Sequence, residues 1–140
     1  MPFEFTVFDV IPATPQQIYD AWLSTTGHAN ITGGPRARAS PRVGAKFSAW
    51  DGYITGSNVR LEPPARIVQN WRTTEFADAD PDSQIEVLLE PVEGGTRVTV
   101  HHSNVPDGHT GYEHGGWQES YFDPMKQFFG GVPRRRKSRR

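Results

Sequence analysis

The segment from Gly116 to Phe129 carries Trp117, Tyr121, Phe122, Met125, Phe128 and Phe129. Trp117, Tyr121, Met125 and Phe128 recur at helical spacing, so a helix with one broad aromatic face is expected. A curved sheet is the cover that suits such a face. Pro124 lies inside this helix; it lacks an N–H and crowds the carbonyl of Ser120, at a cost on the order of 3 kcal/mol in a regular helix interior. A kink is therefore expected at Pro124, one that lets the helix follow a curved surface.

The rest of the chain supplies that surface. Phe3 to Ile11 is dense in Phe and Val and reads as a strand packed on both faces. Thr14 as N-cap, Pro15 at the first helical position and Gln17 completing a capping box predict a helix, with Ile18, Ala21 and Trp22 on its buried stripe. Gly27 and the Gly33, Gly34, Pro35 cluster close this section, and the stretch to Gly44 reads as loop. Hairpins follow. Lys46 to Trp50 and Tyr53 to Leu61 flank Asp51 and Gly52, the pair that best accepts a type I′ turn. Arg66 to Glu75 makes a further strand, Ala77 to Asp82 an acidic loop, and Gln84 to Val92 pairs with Thr96 to Ser103 across Glu93, Gly94 and Gly95. Links this short predict an antiparallel meander.

Alternation assigns faces. Ile85, Val87 and Leu89 oppose Glu86 and Glu90, and Val98, Val100 and His102 oppose Arg97, Thr99 and His101. His102 is therefore expected inside and His101 outside. Ile67 and Trp71 share a face with Gln69, and Val59 and Leu61 share one with Tyr53, Thr55 and Ser57. The concave side then becomes apolar with scattered polar groups.

A chain of 140 residues fits one domain, expected to span residues 1–132, followed by a basic disordered tail at residues 133–140. The net charge of −1 hides an asymmetry: six of the fifteen basic residues fall in the last seven positions, leaving nine against sixteen acidic residues. The body repels phosphate, so specific nucleic-acid binding is not expected of it; the tail has the charge to attract nucleic acid or acidic headgroups. With no cysteine, disulfides, thiolate nucleophiles and zinc ribbons are excluded. Neither a membrane span nor a secretory leader is legible, and a cytoplasmic location is expected.

Catalytic patterns are weak. His101, His102, His109 and His114 lie close together with Asp107 and Glu113, but their spacing fits no recurrent ligand set, and alternation separates the first two. No serine sits on a glycine elbow, and no phosphate-cradling loop is present. No metal or cofactor is called for. A general acid or base inside the sheet would be His102, with Tyr53 or Tyr121 as partner.

The order of strand, capped helix, meander and long C-terminal helix resembles the α+β helix-grip fold of START-like lipid-transfer domains, birch-pollen-allergen-like proteins and polyketide cyclases. Gly44 to Phe47, Asp51, Gly52, Gly56, Ile67, Val68, Trp71, Arg72, Gly95, Thr96, Val105 and Pro106, then Gly116, Trp117, Tyr121, Phe122, Met125, Lys126 and Phe129, resemble more narrowly the C-terminal domain of the activator of the ninety-kilodalton heat-shock-protein ATPase. The resemblance spans Phe3 to Gly130. It implies a curved antiparallel sheet wrapped around the last helix. In the eukaryotic co-chaperone this domain follows a larger one that makes much of the chaperone contact, whereas many relatives stand alone.

Three functions follow as expectations. A non-catalytic binding domain would hold a lipid-like or aromatic small molecule in an internal cavity near Tyr53, Gln69, Trp71, His102, Trp117, Tyr121 and Met125. A chaperone-docking regulator would use outward faces of the sheet and loops. A cyclase- or hydrolase-type enzyme would use the same cavity. Large aromatics at helical spacing also serve simply to fill a core.

Overall fold

The computed structural model describes residues 2–130. Six antiparallel strands form one sheet in the order β1-β6-β5-β4-β3-β2: β1 Phe3–Ile11, β2 Lys46–Ala49, β3 Ile54–Glu62, β4 Arg66–Thr73, β5 Ser83–Val92 and β6 Gly95–Val105. Strands β2 to β6 are consecutive neighbours, so they form a meander, and β1 closes onto β6 at the far edge. Two short helices, α1 Pro15–Trp22 and α2 Thr25–Ile31, follow β1, and α3 Asp123–Gly130 is the last element among the described residues. This is the α+β helix-grip architecture, with the apolar core between the concave side of the sheet and the helices. Among the described residues no helix is long and apolar enough to cross a membrane. The basic segment at residues 133–140 lies outside the described residues.

Local chemistry starts α1 where the sequence places it. Thr14 Oγ1 accepts the Gln17 N–H at 3.1 Å, and the Thr14 N–H donates to Gln17 Oε1 at 2.8 Å, the reciprocal bonds of a capping box. Gly27 does not end the section. It lies within α2, where its N–H donates to Ser24 Oγ at 2.8 Å. A Cβ at Gly27 would fall 2.6 Å from Ala21 Cα and 2.7 Å from Ala21 O, so glycine serves the close packing of α2 on α1.

Three strand details depart from what the sequence suggests. Phe8 is 61% exposed and Val10 also faces solvent, because β1 packs on its inner face alone and the outer side of the sheet is uncovered there. In β3 the register shifts between Asn58 and Arg60. This bulge makes Ile54, Gly56 and Asn58 the inward residues before it and leaves Val59 41% exposed, with Leu61 inward again beyond it; one extra residue reverses the phase of a period-two pattern. The β2–β3 connection also slides by one position. Ala49 pairs with Ile54, and Trp50, Asp51 and Gly52 all have positive φ, at 53°, 57° and 90°. The tight turn is centred on Trp50 and Asp51, since the Gly52 N–H reaches Ala49 O at 3.2 Å.

The C-terminal helix meets Pro124 with a widened turn. Residues Gln118–Phe122 are π-helical, and the Asp123 N–H bonds to Gln118 O instead of Glu119 O. The wider turn lies directly before the proline that cannot donate, where the helix ladder is already interrupted. It also holds a four-residue spacing on one face: Trp117, Tyr121 and Met125 are buried and Phe129 packs against the core. Phe128, expected on that face, is instead 47% exposed.

Candidate functional site

The concave face of the sheet meets the π-helical turn at a cleft of about 230 Å³. Its walls are Tyr53 and Ile54 from the start of β3, Trp71 and Glu75 from the end of β4, Gly111 and Tyr112, and Gly116, Trp117, Ser120 and Tyr121 from the last helix. Trp71 links both sides of the cleft through ring contacts. It meets Tyr112 edge-on at 5.2 Å and Trp117 at 5.6 Å, and Trp117 meets Tyr121 at 4.9 Å between centroids.

Four of the seven residues named from sequence therefore line this cleft: Tyr53, Trp71, Trp117 and Tyr121. The other three lie elsewhere. Met125 is fully buried in the core. Gln69 accepts from Trp22 Nε1 at 3.1 Å and donates to Asn58 Oδ1 at 2.9 Å. Asn58 Nδ2 in turn donates to the carbonyls of Ser40 and Arg42, both at 2.8 Å, so this buried chain fastens the long loop before β2 to the core.

His102 sits behind the cleft wall with both nitrogens engaged. The Trp117 indole N–H can only donate, so Nδ1 of His102 accepts it, at 3.2 Å. Nε2 then carries the ring proton and donates to Ser83 Oγ at 2.8 Å, whose hydroxyl donates to the Trp71 carbonyl at 2.8 Å. Burial, reinforced by the neighbouring His101, pushes the His102 pKa down to about 3, so the ring is neutral. Its partners are Trp117 and Ser83, not Tyr53 or Tyr121, and neither nitrogen is free to take a proton from a ligand. His101 points outward and joins Thr6 Oγ1 at 2.9 Å and Glu4 Oε1 at 3.0 Å.

A second buried histidine, not singled out from sequence, supports the opposite wall. His28 is 1% exposed. A carbonyl can only accept, so Nδ1–H of His28 donates to Trp22 O at 2.8 Å, and Nε2 accepts the Tyr121 hydroxyl at 2.7 Å. Burial pushes this ring down to about 4, against a partial rise from the Trp22 bond, and pushes the Tyr121 phenol up. Two neutral histidines thus tie the polar ends of Trp117 and Tyr121 into the protein and leave the rest of each ring to shape the cleft.

Polar groups gather around Tyr53 and Tyr112. The Tyr53 hydroxyl donates to Glu75 Oε1 at 2.7 Å, and the hydroxyls of Tyr112 and Thr73 pair at 2.8 Å. Burial, followed by the bond to Glu75, raises the Tyr53 phenol. Glu75, Tyr112 and Ser120 are cleft residues that the sequence reading passed over. Glu75 had a signal: it continues the alternation of Gln69, Trp71 and Thr73 one residue pair beyond the strand. Among the described residues no group of three His, Asp or Glu could hold a metal ion.

Known proteins share this fold. The mouse activator of 90 kDa heat shock protein ATPase homolog 1 is 25% identical over 127 residues, covering 91% of this chain and 37% of its own length. The chain therefore spans little more than a third of that relative. The crystal structure of an HSP90 activator from Plasmodium falciparum superposes with a TM-score of 0.82 at 22% identity, covering 91% of this chain and 96% of that one. The solution structure of the Aha1 dimer from Colwellia psychrerythraea gives 0.74 at 19% identity, with 91% and 97% covered. These two likenesses establish the helix-grip fold. The sequence model of one family matches residues 12–130, and by that match the chain belongs to the Activator of Hsp90 ATPase homolog 1-like protein family.

Proposed function

We propose that the chain is a non-catalytic binding domain whose cleft takes a small, mostly apolar molecule. The observation that carries this reading is the cleft itself: about 230 Å³ walled by Tyr53, Ile54, Trp71, Tyr112, Trp117 and Tyr121, with Glu75 and Ser120 adding polar groups. Apolar walls with a few placed polar groups are the character of ligand sites. The volume narrows the occupant. A cavity of about 150 Å³ holds one benzene ring, and drug-sized sites begin at roughly 300 Å³. A single ring or a short branched chain suits the space, and a full lipid tail does not. Ser120 lines the cleft and is partly buried, so Ser120→Phe places a ring in the same volume. Single-ring fragments titrated by tryptophan fluorescence should saturate the wild type and lose at least tenfold in affinity in this variant. Equal affinities would place the fragments elsewhere and end the reading.

A second reading, docking on a heat-shock chaperone, rests on the family and on relatives described as activators of that ATPase. It would use the outward side of the sheet, where Phe8, Val10 and Leu88 are exposed. Stimulation of the purified host chaperone's ATPase by this chain, lost in Phe8→Ser, would support it. No stimulation and no complex would remove it.

A further inference from the structure

The cleft has a chemical bias that its size does not require. Five of its ten lining residues are aromatic, one is a glutamate, and none is Lys, Arg or His. Among the described residues no lysine or arginine pairs with Glu75. The rings also stand at different tilts. Trp71 and Tyr112 are 85° apart, Trp71 and Trp117 34°, and Trp117 and Tyr121 42°. Rings at such angles line the space in more than one orientation. The face of an aromatic ring carries the negative side of its quadrupole, and a cation within about 6 Å of a centroid is attracted to it.

We propose that the cleft selects a small organic cation: a protonated or quaternary amine on an apolar body no larger than one ring. This rests on the cleft being a binding site, as argued above. The apolar body fills the space against Ile54 and the indoles, and the ammonium lies toward Glu75. Tyr53 donates to Glu75 Oε1, which fixes the carboxylate and leaves Oε2 without a hydrogen bond among the described residues. An ammonium gains from both the ring faces and this oxygen. A neutral alcohol gains from the oxygen alone, and a carboxylate ligand is repelled by it. The charge of the body adds to the bias, since outside the last seven positions acidic residues outnumber basic ones by sixteen to nine.

Three probes that share one ring separate the possibilities: benzylammonium, benzyl alcohol and benzoate, titrated against tryptophan fluorescence at fixed ionic strength and neutral pH. The expected order is amine, then alcohol, then benzoate, with the amine about tenfold tighter than the alcohol. Glu75→Gln keeps an acceptor for the Tyr53 hydroxyl and removes the charge. In that variant the amine should weaken about tenfold and the alcohol by less, since the alcohol loses a hydrogen bond and no charge attraction. Equal affinities for all three probes, or an amine preference untouched by Glu75→Gln, would overturn the cation proposal and leave the cleft a general apolar site. Absence of binding by every probe would overturn the proposal together with the binding reading beneath it.

Discussion

Acid should destabilise this protein well above the range in which carboxylates titrate, and the two histidines behind the cleft set the size of the effect. His28 and His102 are 1% and 0% exposed, and each uses one nitrogen as an acceptor, from Tyr121 and from Trp117 respectively. Protonating His102 would turn that acceptor into a donor facing the Trp117 N–H, and protonating His28 would place a charge in a buried site and force the Tyr121 hydroxyl to turn its proton away. Their folded values, about 4 and about 3, lie below the ordinary 6.5. When the folded value is depressed, the unfolded chain takes up the proton first. Stability is therefore level above about pH 6.5, falls as pH drops below it, and levels again only below the folded values. Taking the pH from about 8 to about 5 costs ~2 kcal/mol for each ring. The pair thus removes ~4 kcal/mol, against a typical total of roughly 5–15 kcal/mol. The melting temperature should fall by about 10–15 °C over that interval. Urea unfolding at a series of pH values measures the slope, and nitrogen shifts of the two imidazoles identify its source. A flat stability profile between those limits, or either ring titrating near 6.5 in the folded protein, would refute the reasoning.

Two further substitutions probe the packing. Gly27→Ala drives a methyl into the backbone of Ala21, at 2.6 Å from its Cα, and should lower stability by about 1–3 kcal/mol in urea unfolding; a neutral result would mean that α2 shifts freely on α1. Tyr121→Phe removes the donor to His28 Nε2 and leaves a buried acceptor unpaired, so it should cost about 1–3 kcal/mol by the same assay.

What could be read from sequence was what short-range chemistry determines. The capping box at Thr14 is complete within four residues, and the alternation of Ile85, Val87 and Leu89 against Val98, Val100 and His102 is set by two adjacent strands. The aromatic face of the last helix was legible through Met125, and misassigned at Phe128 because a π turn changes the helical phase. Position-specific irregularities were hidden for the same kind of reason. A single bulge at Val59 reverses which β3 residues point inward, and the hairpin settles on Trp50 and Asp51 although Gly52 accepts positive φ more easily.

The cleft was legible in part. Trp71 and Trp117 could be brought together by strand alternation and helical spacing alone. His28 could not be placed, because its burial depends on Tyr121, 93 residues away, and on a helix whose glycine reads as a breaker. Gln69 shares the inward face with Trp71, as alternation requires, but its amide is used up by Trp22 and Asn58. Alternation gives the direction of a side chain and not the partner it finds there.

The most direct measurement is one NMR titration series on the isotope-labelled full chain, first with single-ring fragments and then with the purified host chaperone. A binding cleft requires saturable shifts at the Trp71 and Trp117 indoles and at Tyr121, with the outer residues Phe8, Val10 and Leu88 unmoved by fragments. Silence at the indoles, with shifts confined to the outer face when the chaperone is added, would contradict the binding-cleft reading and make this a docking domain.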